Sequence, residues 1–325
     1  MRRIQFPVPN STPTPAPVSR SRLAGLLHFG GRVAASAAFL GLAAARGGPG
    51  VAMHLRAWHM GTSILLGPRD PAWHSIAYDL LLRPMDSVRY FELAFAWQSG
   101  RGLASLNTYV DVSSPRLLPV ATALDRPEVQ ATLVNPDSRD LEVTRGLVEA
   151  LGIGARCRVE CRTVDQVDPA PGSVDLVTSI SVVEHIPAGS DLEAVARMWS
   201  WVRPGGRFVL TVPCAREAFE EVCDRDEYGL MQPDESGLVL RQRFYDQQAL
   251  ASGFLRICGP PRRLEVFGER AAGTFLSDRN AKARGAWRAE REPYAVATGY
   301  RPFASIDELP GIGVVGLEFE KPALG

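Results

Sequence analysis

Asp111 closes a short β-branched run, Tyr109 to Val112, that leads straight into an apolar helical pattern in NTYVDVSSPRLLPVATAL, residues 107–124. A strand that turns tightly into a helix is where α/β proteins hold nucleotide-like ligands, because helix N-terminal amides and a close backbone approach meet there. Such turns use glycine for positive φ and for access. Here the turn reads Ser113-Ser114-Pro115-Arg116-Leu117 and contains none. Proline sets φ at about −65° and removes a donor, so Pro115 cannot imitate glycine. Ser114 as N-cap and Pro115 as first helical residue instead predict a helix that starts early, its dipole toward the ligand side. Further along, Glu184-His185 puts a carboxylate beside an imidazole that titrates near neutrality.

Other chemistries are poorly supplied. The five cysteines (Cys157, Cys161, Cys214, Cys223, Cys258) form no CxxC and the five histidines do not cluster with them. Neither a disulfide framework nor a metal site is expected, and reduced thiols fit a cytoplasmic protein. The 325 residues are 46% apolar and 22% charged with zero formal net charge, which argues against general nucleic-acid binding.

The elements that must position these groups alternate. Strands are predicted at Thr108–Val112, Gln130–Val134, Arg158–Arg162, Val174–Ser179 and Arg207–Val212, with helical patterns between most of them. That is the signature of βαβ units in a doubly wound, Rossmann-like, mostly parallel α/β sheet. Before them, "DSVRYFELAFAWQSG" reads as a helix capped by Asp86 or Ser87. Ser190-Asp191-Leu192-Glu193 reads as a capping box, and Pro204-Gly205-Gly206 as the stop of the helix that follows. Two more strands are expected at Arg263–Gly268 and Gly313–Glu320.

The chain divides into a disordered tail (1–18), an Ala/Arg-rich helical extension (19–70) and a main domain (71–325). Within the domain lie a core (105–215), an insertion (214–252) after the fifth strand and the last strands (263–320). An insertion there sits at the carboxyl edge of the sheet and is a candidate substrate lid. Residues 7–17 are Pro/Ser/Thr-rich, hence disordered or extended. The charge-free run Val33–Ala45 is too short to span a bilayer, and helix packing is the first reading of the 19–46 segment. Peripheral membrane contact is the second, and an exported leader a third.

With these elements in place, residues 105–215 resemble the class I S-adenosylmethionine-dependent methyltransferases of the small-molecule type. The best match is GSVDLVTSISVVEHIPAGSDLEAVARMWSWVRPGGRFVLTVP, with Asp175 opening the fourth strand, Glu184-His185 past its end, and VRPGGRFVLTVP resembling the family's LKPGG turn and fifth strand. The resemblance implies a seven-stranded sheet and S-adenosylmethionine as cofactor. It implies cofactor contacts at Asp111, Ser113 and Ser114, at Asn135 and Asp137 after the second strand, and at Thr163 and Val164 after the third. Ser179 and, on the preceding helix, Tyr90 or Arg89 complete the set. Three glycine places of the family fall on Ser113, Pro115 and Leu117, the ribose acid on Asn135, and the adenine-contacting aspartate on Thr163, with Arg162 or Asp165 as alternatives. His185 is the expected base, with Glu184 behind it. The acceptor is expected to be a small molecule, a sugar or a lipid intermediate, methylated at oxygen. A fold kept for binding or regulation without activity is the alternative; a dehydrogenase or sugar transferase ranks last, since GxGxxG and a P-loop are absent.

Overall fold

The computed structural model describes residues 2–5, 22–67, 71–224, 226 and 231–323. Strand β1 (Arg2–Gln5) and helices α1 (Arg22–Ala45), α2 (Val51–Leu66), α3 (His74–Leu82) and α4 (Arg89–Arg101) precede the main sheet. Then come β2 (Thr108–Val112), α5 (Leu117–Asp125), β3 (Gln130–Val134), α6 (Ser138–Ala150), β4 (Cys157–Glu160), β5 (Val174–Ile180), α7 (Ser190–Trp201) and β6 (Val202–Ala215). The C-terminal third holds β7 (Phe219–Cys223), β8 (Val239–Phe244), α8 (Gln247–Ser252), α9 (Phe254–Cys258), β9 (Arg263–Glu269), α10 (Thr274–Ala283), α11 (Glu292–Gly299), β10 (Tyr300–Phe303) and β11 (Ile312–Glu320).

The main sheet has the order β10-β9-β11-β6-β5-β2-β3-β4. From β2 to β6 all pairings are parallel, while β11 runs antiparallel between β6 and β9. Seven strands match expectation, and β10 adds an eighth at the edge, antiparallel to β9. Chain progression reverses between β2 and β5, so a switch point opens at their carboxyl ends. Apolar residues cover both faces. Phe91, Phe95 and Leu118 pack on one, and Val195, Met198, Trp201 and Phe254 on the other.

Several local expectations are corrected. Gly189, at φ 91°, precedes α7, and Asp191 accepts from the Gly189 and Leu192 amides at 2.9 Å each. No Ser190–Glu193 capping box forms, because Gly189 stands at the cap, Ser190 is already helical and the Glu193 amide donates to the Gly189 carbonyl at 3.2 Å; the other Asp191 oxygen pairs with buried Arg243 at 2.6 Å. Helix α7 ends at Trp201, ahead of Pro204. Gly205 (φ 72°) and Gly206 instead form an irregularity within β6, where a Cβ on Gly206 would meet the Asp175 carbonyl oxygen at 2.9 Å. Neither Asp86 nor Ser87 caps α4, whose first turn follows Val88 without a side-chain cap.

Residues 2–5, expected within a disordered tail, pair in parallel with β7, completing a three-stranded sheet β1-β7-β8 inside the insertion. Arg3 bridges to Glu220 at 3.2 Å and Asp234 at 2.5 Å. Residues 7–17 lie outside the described residues. Helix α1 packs on α11 and the preceding turn, with Arg32 paired to Glu290. Its stretch Leu27–Ala45 is long and apolar enough to cross a membrane by length and composition, and only 17% of it is buried.

Helix α4 lies directly on β11. A Cβ on Gly316 would sit 2.9 Å from two Phe95 ring atoms, so the glycine sets how closely helix and sheet approach. Gly316→Ala is expected to lower stability by roughly 1–3 kcal/mol through overpacking. Urea denaturation should show a lower midpoint at unchanged slope; an unchanged midpoint would mean the helix is free to shift.

Candidate functional site

At the switch point lies a cavity of about 620 Å³. The turn after β2 lines it with Ser113, Ser114 and Arg116; the end of β3 with Asn135, Asp137 and Asp140; the segment after β4 with Thr163, Val164 and Asp165. Ser181 and His185, beyond β5, and Arg89 of α4 close one side. Seven expected residues thus meet here: Ser113, Ser114, Asn135, Asp137, Thr163, Val164 and His185. Asp111, Ser179, Tyr90 and Glu184 do not line this cavity.

Ser113 adopts φ 55°, the left-handed conformation a glycine would hold without strain. Two hydrogen bonds to the Val134 carbonyl keep it there, from its amide at 2.7 Å and its hydroxyl at 3.1 Å. The helix does not begin at Ser114; α5 starts at Leu117, without a side-chain cap. Ser114 is used across the sheet instead, its hydroxyl accepting from the Ile180 amide and its amide donating to Asp111, both at 3.1 Å. Asp111 also accepts from the Tyr109 hydroxyl at 3.1 Å and from Thr178. Burial pushes its carboxyl up to about 6 against the pull of these hydrogen bonds. Asp111 therefore fixes the turn from inside the sheet and is a positioning residue.

After β3, Asp137 is the N-cap of α6, accepting from the Arg139 and Asp140 amides. Asn135 accepts from the Asp137 amide at 2.9 Å and donates to Asp140 at 3.0 Å, while Arg116 pairs with the other Asp140 oxygen. Asp140 is the acid that sequence reading missed; its only signal was its place in the first turn of α6. The buried Arg116 Nε on this wall has no hydrogen-bond partner. Thr163 caps a single turn, Val164–Gln166, reciprocally with Gln166. Tyr90 belongs to the core, its hydroxyl 2.8 Å from His54 Nδ1, and Ser179 is buried within β5.

A second cavity, of about 380 Å³, shares Arg89, Ser181 and His185 with the first. Its other walls include Ser87, Glu184, β8 (Arg241, Gln242, Phe244), α10 (Arg279, Lys282) and Tyr300. The insertion thus contributes to both cavities, with Met231 in the first. His185 Nδ1 bonds the Arg241 carbonyl oxygen, which can only accept, so Nδ1 carries a proton. Nε2 is 3.8 Å from Glu184 Oε1. Glu184 is 1% exposed, and burial pushes its carboxyl up to about 8, opposed in part by a backbone hydrogen bond and by Arg89. Arg89 pairs with Glu92 at 2.9 Å. Ser87, Ser113 and Ser181, the three described non-glycine residues with positive φ, all stand on these two walls.

A family model described as "Methyltransferase domain" matches residues 118–210. No curated protein matches the chain in sequence. Among solved structures, geranyl diphosphate C-methyltransferase from Streptomyces coelicolor A3(2) is 12% identical at TM-score 0.45, covering 80% of this chain and 87% of its own. The Burkholderia thailandensis 1,6-didemethyltoxoflavin-N1-methyltransferase is 16% identical at TM-score 0.42, covering 72% and 80%. The [4+2]-cyclase SpnF is 13% identical at TM-score 0.43, covering 71% and 80%. The domain match covers 118–210 of the 325 residues.

Glu184 ties the site to stability. Its folded carboxyl keeps a proton that the unfolded chain releases above about 4.5, so stability falls as pH rises toward about 8 and then levels. Each unit of difference is worth about 1.4 kcal/mol. Glu184→Gln should remove this fall, gaining on the wild type as pH rises. Urea titrations across the range check it, and parallel profiles for the two proteins would overturn it.

Proposed function

We propose, on the premise that the chain carries a class I methyltransferase domain, that it transfers a methyl group from S-adenosylmethionine to an oxygen of a small-molecule, sugar or lipid-intermediate acceptor. The observation that carries this reading is the pair of cavities meeting at Arg89, Ser181 and His185. The first fits the cofactor in kind. Asp140 and Asn135 offer acceptors for ribose hydroxyls, and Val164 with Leu117 an apolar wall for a base. Arg89 offers a cation for a carboxylate, and the unpartnered Arg116 Nε a donor facing the same space.

When bound, the cofactor supplies a methyl group already activated on a sulfonium. The protein is left with alignment and a proton to accept. His185, oriented through Nδ1 by the Arg241 carbonyl, presents Nε2 to take a hydroxyl proton. Ser181 and Arg89 hold the wall between the cavities. The alternative, a protein of this fold that binds without transferring, draws support from the inward-turned Asp111 and the glycine-less turn.

Equilibrium titration with S-adenosylmethionine is expected to show binding, and none in the millimolar range would sink the reading. Methyl transfer with an accepted substrate should fall by about 10²–10⁴-fold in His185→Asn, with cofactor affinity retained. Binding without transfer to any acceptor in a cell extract would favour the alternative.

A further inference from the structure

We infer that the second cavity takes its acceptor by an oxyanion, a carboxylate or a phosphate, held by Arg241, Arg279 and Lys282 together with the buried hydroxyls of Ser87 and Tyr300. This rests on the proposed function, with the second cavity, which meets the first at Arg89, Ser181 and His185, taking the acceptor.

The first observation is a set of under-satisfied groups. Glu184 Oε2 makes no well-formed hydrogen bond, Ser87 Oγ and Tyr300 OH have only a weak contact with each other, and all three residues line this one cavity. Tyr300 is 2% exposed and Glu184 1%. Buried polar atoms of native proteins are ordinarily well paired, so three under-satisfied groups on one wall point to a ligand that completes them. Both hydroxyls can donate, and so can Glu184 while its carboxyl keeps its proton. A ligand rich in acceptors satisfies all three.

The second observation is charge. Arg279 and Lys282 stand three apart on α10, which places them on one face of the helix. Arg241 reaches in from β8 and shares Glu221 with Arg279, at 3.2 and 3.4 Å. Lys282 is held by Glu292 at 2.7 Å. An amine acceptor would need an ionised carboxylate directed into the cavity. Burial disfavours that charge on Glu184 and, with Glu292 nearby, on Asp278, while the Asp86 side chain is 70% exposed at the rim beside Lys282. Phe244, Phe275 and Val314 leave an apolar surface for a carbon skeleton. Charge-assisted donors and buried hydroxyls together match a carboxylate or phosphate.

The test uses the full chain loaded with S-adenosylhomocysteine and titrated with two matched pairs. These are 4-hydroxybenzoate against 4-hydroxybenzamide, and glycerol 3-phosphate against glycerol. The expected result is that at least one anion binds about tenfold or more tightly than its neutral partner. Which pair responds separates carboxylate from phosphate. Arg279→Gln combined with Lys282→Gln should weaken that anion about tenfold, Tyr300→Phe should weaken it less, and Arg279→Lys should keep it. S-adenosylhomocysteine affinity should stay unchanged in every variant, which also reports that each is folded. Equal binding of the neutral partners, indifference to Arg279→Gln with Lys282→Gln, or no probe binding to the loaded protein would overturn the inference. If S-adenosylhomocysteine itself fails to bind, the cofactor reading falls; anion selectivity lost in the same variants of unloaded protein would still support this one.

Discussion

The site depends on one buried carboxylate. Glu92, fully covered on α4, accepts from Arg89, from the Thr211 hydroxyl at 2.7 Å and from the Ser181 hydroxyl. It joins the helix in front of the sheet to the carboxyl ends of β5 and β6. A buried charge is tolerated when its lone pairs are met in this way, and removing one partner exposes the full cost of the others. The same contact aims Arg89, which also donates to the Ile180 carbonyl, at the wall between the two cavities. Two of the three residues common to both cavities, Arg89 and Ser181, are therefore held by a side chain that lines neither.

Serine in place of glycine is the second constraint. Left-handed backbone is strained for a residue with a Cβ and persists where the surroundings over-determine it. Ser113 is bound twice to the Val134 carbonyl, and the Ser181 amide bonds both the Thr211 carbonyl at 3.0 Å and its hydroxyl at 3.2 Å. The Ser113 hydroxyl ties its turn to β3, and the Ser181 hydroxyl ties its own to Glu92 on α4. The turn gives up glycine's freedom and gains a fixed shape.

How far sequence could reach follows from what each feature depends on. Thr108–Val112 and Gln130–Val134 were legible to the residue because central parallel strands are apolar runs bounded by turns. Strands RRIQ, FEEVC and YRPF were not, since their charged, short sequences lack a period and their pairing is set by distant partners. The first cavity was largely legible because its residues follow strand ends in order. Orientation was not: whether Asp111 faces a ligand or its neighbours turns on Tyr109 and Thr178, which only the folded sheet brings beside it. The second cavity collects Ser87, Glu184, Arg241, Arg279 and Tyr300 from separate elements, and no local pattern announces such a set.

Strand β1 adds a matter of timing. It precedes the five parallel strands in the chain, yet its partner β7, which in turn pairs with β8, follows β6, the last of them. During synthesis the N-terminal strand must wait unpaired while the core sheet emerges. The small sheet is thus completed only after the five parallel strands have been made. Long-range closure of this kind is slow compared with local pairing, so β1 pairs late although it is made early, and the wall that β8 lends to the second cavity is joined to a segment more than two hundred residues away.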